Sequence, residues 1–219
     1  MGKVVSLLSG GIDSAVTSAI AKSKGYEVYT ITFDYGQRHR KEMKCAEEIA
    51  KWLGAKHKVI KADLRQIGGS ALTDDVQISD EYEGIPPTYV PARNTIFLSY
   101  ALAYAEVIDA DAIFIGVNAV DYSGYPDCRK EYIKAFQNMA KLATKRGVEG
   151  KEIKIETPIL YLTKGEIIRK GIELGVPFEK TWSCYRGGKK ACGKCPSCVI
   201  RLKGFAEAGI EDPIEYESK

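Results

Sequence analysis

The residues from Ser9 to Ser14 read Ser-Gly-Gly-Ile-Asp-Ser. The apolar run before them, Val4 to Leu8, predicts a strand, and the amphipathic run that starts near Ala15 predicts a helix, so the glycines form the turn between the two. Glycines let the backbone approach a ligand closely, and the free N–H groups of a helix's first turn attract anions. With two serine hydroxyls as further donors, this loop predicts a binding site for a phosphate or a pyrophosphate.

The loop differs from two common phosphate-binding motifs. No Gly-Lys-Ser/Thr follows it, as a Walker A loop requires, and the chain contains no Gly-x-Gly-x-x-Gly dinucleotide fingerprint. The alternative is an ordinary Gly-Gly turn in which Asp13 or Ser14 serves only as the helix N-cap. The complete string favours the anion site.

A second chemical group is a cluster of cysteines near the C-terminus. Four of the six cysteines are spaced C-x7-C-x2-C-x2-C. Two overlapping C-x2-C steps wrap a turn around one ion, and the first cysteine completes four thiolates, which suits one structural, tetrahedral Zn²⁺ per chain. An iron–sulfur cluster uses the same ligand type, and a thiol-redox role is a further alternative. The predicted metal ligands are Cys184, Cys192, Cys195 and Cys198.

The elements that position these groups alternate between strand and helix patterns. The β–α–β–α–β order with short connections predicts an open parallel sheet with helices on both faces, and ligands of such sheets bind beyond the carboxyl ends of the strands. The long polar stretch from Gly68 to Pro91 is a candidate lid. Five strands are expected at 3–8, 28–33, 56–62, 112–117 and 153–156, and the helices after the first at 38–53, 95–109, 129–145 and 163–174.

Composition limits the class of protein. The chain has 219 residues and a net charge of +3, which is too small to indicate a nucleic-acid partner. The longest apolar segment, 96–108, is too short to cross a bilayer, and the N-terminus lacks the pattern of a signal peptide, so no membrane association and a cytoplasmic location are expected. We expect a main α/β domain at 1–180 and a small zinc-binding segment at 181–219.

The Ser9–Ser14 string resembles the SGGxDS signature of the PP-loop ATP pyrophosphatase superfamily. Further strings continue the likeness along nearly the whole chain. Together with the four cysteines, they resemble the QueC family of 7-cyano-7-deazaguanine synthases. The strings are Asp34-Tyr35-Gly36-Gln37-Arg38-His39, Val90-Pro91-Ala92-Arg93-Asn94, Asp121 to Arg129, Thr157-Pro158 with Thr163-Lys164, and Thr181-Trp182-Ser183-Cys184-Tyr185.

This resemblance implies an adenine nucleotide alpha hydrolase-like, Rossmann-like fold. It also implies an enzyme that uses ATP and Mg²⁺ to convert 7-carboxy-7-deazaguanine and ammonia to the 7-cyano compound, on the route to queuosine or archaeosine in tRNA. Either AMP with pyrophosphate or ADP with phosphate is the accompanying product. A homodimer is expected, with no direct nucleic-acid partner.

The resemblance and the residue types together assign candidate roles. The catalytic candidates are Asp13, Ser14, Lys164 and Arg93. The ATP-binding candidates are Leu8, Ser9, Gly10, Gly11, Ile12, Asp13, Ser14, Ala15, Arg93 and Asn94. The candidates for binding the deazaguanine are Tyr35, Gln37, Arg38, Asp121, Tyr122, Tyr125, Asp127 and Arg129.

Several alternatives stay open at this point. Lys164 is also explained as a solvated lysine in a first helical turn, and the tyrosines and aspartates are common in plain turns. Asn94 is the expected N-cap of the helix that follows it. A PP-loop enzyme that thiolates tRNA directly is the nearest rival function. A zinc-bearing interaction module, made basic by Arg201 and the neighbouring lysines, is a second one.

Overall fold

The computed structural model of the chain describes residues 1–37, 39–74, 84–120 and 125–217. These residues contain five strands, which are β1 Lys3–Leu7, β2 Glu27–Asp34, β3 Lys56–Lys61, β4 Ala112–Phe114 and β5 Lys154–Glu156. The strands are all parallel and form one sheet in the order β3-β2-β1-β4-β5. The α/β class, the parallel sheet and its five strands are as the sequence predicts.

Helices cover both faces of this sheet. They are α1 Ile12–Ser23, α2 Lys41–Leu53, α3 Arg93–Val107, α4 Lys130–Ala143, α5 Lys145–Val148, α6 Lys164–Glu173 and α7 Pro196–Ala208. One core lies under α3 and α4 and includes Val5, Ile31 and Leu98, and a second lies under α1, α2, α6 and α7 and includes Ile49 and Ile167. Strands buried on both faces are typical of parallel sheets.

Two helix boundaries differ from the sequence prediction for identifiable reasons. The helix expected over 129–145 is divided, because Thr144 adopts an extended conformation and its hydroxyl accepts the Gly147 N–H as the N-cap of α5. The expected cap of α3 by Asn94 is wrong. That helix begins at Arg93, and the Asp127 carboxylate accepts the Asn94 N–H at 3.0 Å.

The sheet order reverses at β1, since β2 follows on one side and β4 lies on the other. A crevice at such a reversal is the usual ligand site of an open α/β sheet. The segment that carries the cysteines closes one side of it, because the Trp182 N–H donates to the Gly10 carbonyl at 2.9 Å. Within the described parts of the chain, the model contains no helix of the length and apolar character that a membrane span requires.

Candidate active site

A cavity of about 260 Å³ lies beyond the carboxyl ends of β1, β2 and β4. Most of the site residues that the sequence predicts line it, although they come from separate strings along the chain. The fold therefore brings the phosphate loop, the first residue of α6 and the aromatic strings to one place. The predicted residues in its lining are Leu8, Ser9, Gly11, Ile12, Asp13, Ser14, Tyr35, Gln37, Arg93, Asn94, Tyr125 and Lys164.

Other predicted residues do not line the cavity. Gly10 and Ala15 lie behind the loop, where Ala15 donates its N–H to the Gly11 carbonyl in the first turn of α1. Asp127 is buried outside the cavity, and Arg129 is an exposed residue at the start of α4. Arg38, Asp121 and Tyr122 fall outside the described residues.

The loop after β1 is held by its own side chains. The Ser9 and Ser14 hydroxyls lie 3.0 Å apart, and the Ser14 hydroxyl donates to the Gly11 carbonyl at 3.1 Å. Gly10 has a φ of 87°, and a β-carbon there would overlap the backbone of α2 at Glu42. A glycine is required at position 10, because the chain turns with positive φ while touching a helix.

Lys164 is brought to this loop by the start of α6. Thr163 and Glu166 form a capping box, so the helix begins at Lys164 as the sequence predicts. The Lys164 ammonium donates to the Asp13 carboxylate at 2.6 Å, and the residue is only 6% exposed. This burial excludes the alternative of a solvated lysine. Gly204 of α7 makes room for it, since a β-carbon at 204 would overlap the Lys164 side chain.

Arg93 provides a second cation on the opposite face of the sheet. Its guanidinium lies 3.5 Å from the Tyr35 hydroxyl and 5.7 Å from the centre of that ring. Burial opposes the charge, but Tyr35, Tyr125 and Asp127 raise the pKa of Arg93 above its ordinary value. Burial raises the pKa of Tyr35 to about 12, so its hydroxyl keeps its proton at neutral pH.

The Asp127 carboxylate is engaged in holding the fold together rather than facing the cavity. It accepts the Asn94 N–H, while the Asn94 amide donates to the Asp127 carbonyl and to the Cys128 sulfur. Burial raises the pKa of both the Asp127 carboxyl and the Cys128 thiol, the latter to about 12. Cys128 is therefore an unreactive thiol, although it borders the cavity.

Sequence reasoning missed Glu42, which lines the cavity from the first turn of α2. Burial raises the pKa of Glu42 to about 7, against the opposing effect of Arg93. The sequence prediction assigns Glu42 no role, although Glu42 lies four residues before Ala46 on the apolar side of the helix, a spacing that could have indicated its burial. Trp182 also lines the cavity, and the Lys41 ammonium lies 3.3 Å from the centre of its ring.

The four cysteines of the predicted metal site come together in the structure. Their sulfur atoms lie within 4.8 Å of one another, and all four residues are buried. Backbone N–H groups of Arg186 and Cys192 point at the Cys184 sulfur, both at 3.4 Å. Among the described residues, no histidine or carboxylate joins the group. This donor set could hold one metal ion in a closed shell of four thiolates.

The α7 helix connects this cluster to Lys164. Cys195 is its N-cap and Cys198 lies in its first turn, while Gly204 packs against Lys164 two turns later. Between them, Arg201 forms an ion pair with Asp212 at 2.7 Å, in which both side chains are almost completely buried. The expectation that Arg201 contributes to a basic surface is wrong, because this buried pair removes it from solvent.

Solved structures with a similar fold support the architecture. The NMN synthetase from Francisella tularensis aligns with a TM-score of 0.52 at 18% identity, over 96% of this chain and 78% of that one. A protein titled as a predicted subunit of tRNA methyltransferase from Methanocaldococcus jannaschii aligns with a TM-score of 0.52 at 22% identity, over 100% and 93%. At these identities the likeness shows the fold alone.

Sequence relatives are much closer. A protein of Thermoplasma acidophilum named 7-cyano-7-deazaguanine synthase is 59% identical over 220 residues, which cover 98% of this chain and 92% of that protein. One of Acetivibrio thermocellus with the same name is 58% identical over 99% of this chain and 98% of its own. The sequence profile of queuosine biosynthesis protein QueC matches residues 3–209. The chain therefore belongs to the QueC family.

Proposed function

We propose that the chain is an ATP-dependent 7-cyano-7-deazaguanine synthase, which converts 7-carboxy-7-deazaguanine and ammonia to the nitrile. The observation that carries this proposal is the buried Lys164–Asp13 pair beside the Ser9–Ser14 loop, in the same cavity as Arg93. Activation of a carboxylate on a flat heterocycle requires a loop that binds phosphate, cations that offset negative charge and aromatic side chains that contact the ring. The cavity contains all three. The names of the close relatives support the same reaction.

The reaction needs ATP because a carboxylate is a poor acyl donor. Transfer of a phosphoryl or adenylyl group to its oxygen creates a leaving group, and ammonia displaces that phosphate or AMP to form an amide. A second transfer to the amide oxygen lets this oxygen leave with its phosphate group while the nitrogen loses its two protons, which gives the nitrile. The N–H groups of the loop and the hydroxyls of Ser9 and Ser14 would hold the phosphates. Lys164 and Arg93 would offset the negative charge that develops there, and Asp13 would also hold Mg²⁺.

The heterocycle would occupy the aromatic side of the cavity. Tyr35, Gln37 and Tyr125 line it, and the Tyr125 hydroxyl bonds to Thr88 at 2.8 Å. Asp127 would act indirectly, because its carboxylate anchors the start of α3 and so helps to position Arg93.

Product analysis by mass spectrometry tests this function. Purified protein would be incubated with ATP, Mg²⁺, an ammonium salt and 7-carboxy-7-deazaguanine, beside the double variant Asp13→Ala, Ser14→Ala. We expect the nitrile from the native chain and none from the variant, and the nucleotide product will separate AMP from ADP. Unchanged carboxylate, with ATP consumed only when tRNA is added, would replace the proposal by direct tRNA modification.

We also propose that the four cysteines bind one structural Zn²⁺. Two sulfur atoms bonded to zinc at about 2.3 Å in a tetrahedron lie about 3.8 Å apart. The Cys192 and Cys198 sulfur atoms are separated by 3.9 Å, which fits this ion. The thiolates would leave no position open for a substrate, so the metal would stabilise the segment around α7.

Substitution of Cys198 by serine is expected to remove most of the bound zinc and to lower the thermal midpoint, because three thiolates and one weakly held oxygen bind the ion less tightly. Elemental analysis and thermal unfolding measure the two effects. Cys45→Ser is the matched control, since Cys45 lies outside the cluster, and it should keep the metal content of the native chain. Iron with sulfide in the purified protein would contradict the zinc assignment.

Further proposals concern assembly and location. We propose a homodimer, supported by the apolar side chains Met139, Leu142 and Val148 that α4 and α5 expose. Sedimentation equilibrium should give twice the 24.1 kDa chain mass, and a monomer mass would refute it. A reducing, cytoplasmic location fits the six cysteines, which form no disulfide in the structure. We propose that 1–180 form the ATP-binding α/β part and that 181–219 form a zinc-binding segment packed on it, joined through the buried residues Phe178 and Thr181.

A further inference from the structure

Glu42 is a carboxyl group of the cavity that the phosphate chemistry leaves unused. Only Asp13 and Glu42 contribute carboxyl groups to the lining formed by the described residues. Asp13 is paired with Lys164 at 2.6 Å. The Glu42 carboxylate forms no hydrogen bond or ion pair with a side chain in the described ranges, although the residue is partly buried. A carboxylate partly withdrawn from water without a protein partner is unfavourable, so a ligand is expected to provide the donors.

The surroundings of Glu42 suit a flat heterocycle. The Phe33 and Phe97 rings are stacked with centroids 3.9 Å apart and planes 2° apart, and Tyr35 lies 5.6 Å from Phe97. These rings border the same cavity as Glu42 and Arg93. Burial raises the pKa of Glu42, and Arg93 is close enough to oppose part of that rise. This part of the cavity therefore combines an apolar aromatic wall with the Glu42 carboxylate and the Arg93 cation.

The deazaguanine ring offers what this acceptor lacks. Its ring N–H and its exocyclic amino group point from one edge, and both are donors. An ionised carboxylate has two acceptor oxygens and no donor, so it can take both bonds side by side. The adenine of ATP presents a donor beside an acceptor on the corresponding edge, which matches a carboxylate less well.

We propose that Glu42 accepts the two N–H donors of the deazaguanine and so determines the preference for a guanine-type heterocycle. This inference rests on the proposed function and names the residue that selects its substrate. The role follows from the place of Glu42 in the cavity and its lack of a protein partner. Burial raises the pKa of Glu42 to about 7, and two N–H donors from a ligand would stabilise its ionised form.

The experiment compares 7-carboxy-7-deazaguanine with the analogue that lacks the exocyclic amino group. We expect the native chain to prefer the first by about tenfold or more in kcat/KM, which corresponds to one good hydrogen bond to a charged group. In Glu42→Gln this ratio should fall toward one, because the glutamine amide has one acceptor oxygen for the ring N–H and presents its NH2 donor to the exocyclic amino group. The KM for ATP should stay unchanged.

Two further variants keep the result interpretable. Glu42→Asp retains a carboxylate and should keep part of the discrimination, with a raised KM for the heterocycle. Glu48→Gln, at an exposed position of the same helix, should match the native chain. Calorimetric titration with the two heterocycles gives the same comparison for any variant that folds but turns over slowly.

Three outcomes would overturn the inference. A fall in kcat for both heterocycles with an unchanged ratio would make Glu42 a proton-transfer group. A raised KM for ATP alone would place it against the nucleotide. If the native chain forms no nitrile from either heterocycle, the proposed function itself is overturned. This outcome differs from the first two because in those the native chain is active and only the variant changes.

Discussion

Replacement of Lys164 by alanine should lower kcat/KM for nitrile formation by about 10² to 10³-fold, the usual cost of removing one preorganised charge donor from an active site. Lys164 lies 2.6 Å from Asp13 beside the phosphate loop. Its loss removes a cation from the expected phosphate site and leaves the Asp13 carboxylate uncompensated there, so the anionic transition state is penalised twice. Steady-state kinetics with product detection by mass spectrometry will measure the effect.

The control for this prediction lies on the same helix. Lys170 is about half exposed and pairs with the exposed Glu173 at 2.8 Å, so Lys170→Ala should keep the activity of the native chain. Lys164→Arg should not rescue, because the compact ammonium donates to Asp13 at 2.6 Å in a residue that is only 6% exposed, and a longer, planar guanidinium does not reproduce that contact. If Lys164→Ala stays within threefold of the native activity, the charge role is refuted.

Replacement of Arg201 by methionine should lower the free energy of unfolding by about 3–5 kcal/mol, because it leaves a buried carboxylate without its ion partner. Arg201 donates to both Asp212 oxygens, at 2.7 and 2.9 Å, and to the Thr181 hydroxyl at 2.8 Å. Its side chain is 2% exposed and that of Asp212 is 3% exposed, so water cannot replace these bonds. Urea unfolding will measure the loss.

A surface arginine provides the comparison. Arg169 lies on α6, is 46% exposed and pairs with Glu207 at 3.9 Å, so Arg169→Met should cost less than about 1 kcal/mol. Adding Asp212→Asn to Arg201→Met should recover part of the stability, because the remaining donors, the Tyr216 hydroxyl and the Ile214 N–H, then meet a neutral group. Equal costs for the two arginine variants would show that burial of the Arg201–Asp212 pair is unimportant.

Features set by short-range spacing could be predicted from the sequence. The alternation of strand and helix patterns indicates the parallel sheet, and Thr163 with Glu166 indicates the start of α6. The Ser9–Ser14 string indicates the anion loop. Each depends on neighbours within a few residues, so no knowledge of distant contacts is needed.

Predictions that depended on which way a side chain faces were less complete. Asp127 has the residue type expected for binding a deazaguanine, but its carboxylate accepts the Asn94 N–H outside the cavity. Arg201 has the charge of a surface residue, but it is paired in the interior. Glu42 received no role, because its spacing from Ala46 indicates the inward side of α2 but not the cavity that the fold forms there.

The sequence by itself determined the fold class, the phosphate loop and the four-cysteine cluster, because local periodicity and spacing encode all three. Only the tertiary structure decided the partners of the charged groups. Lys164 meets Asp13 across 151 positions, and Gly204 of a distant helix makes room for it. Such contacts depend on how the helices pack on the sheet. A glycine that makes room for a side chain, or a buried counter-ion, acts on a residue that is distant in sequence and close only in the folded chain.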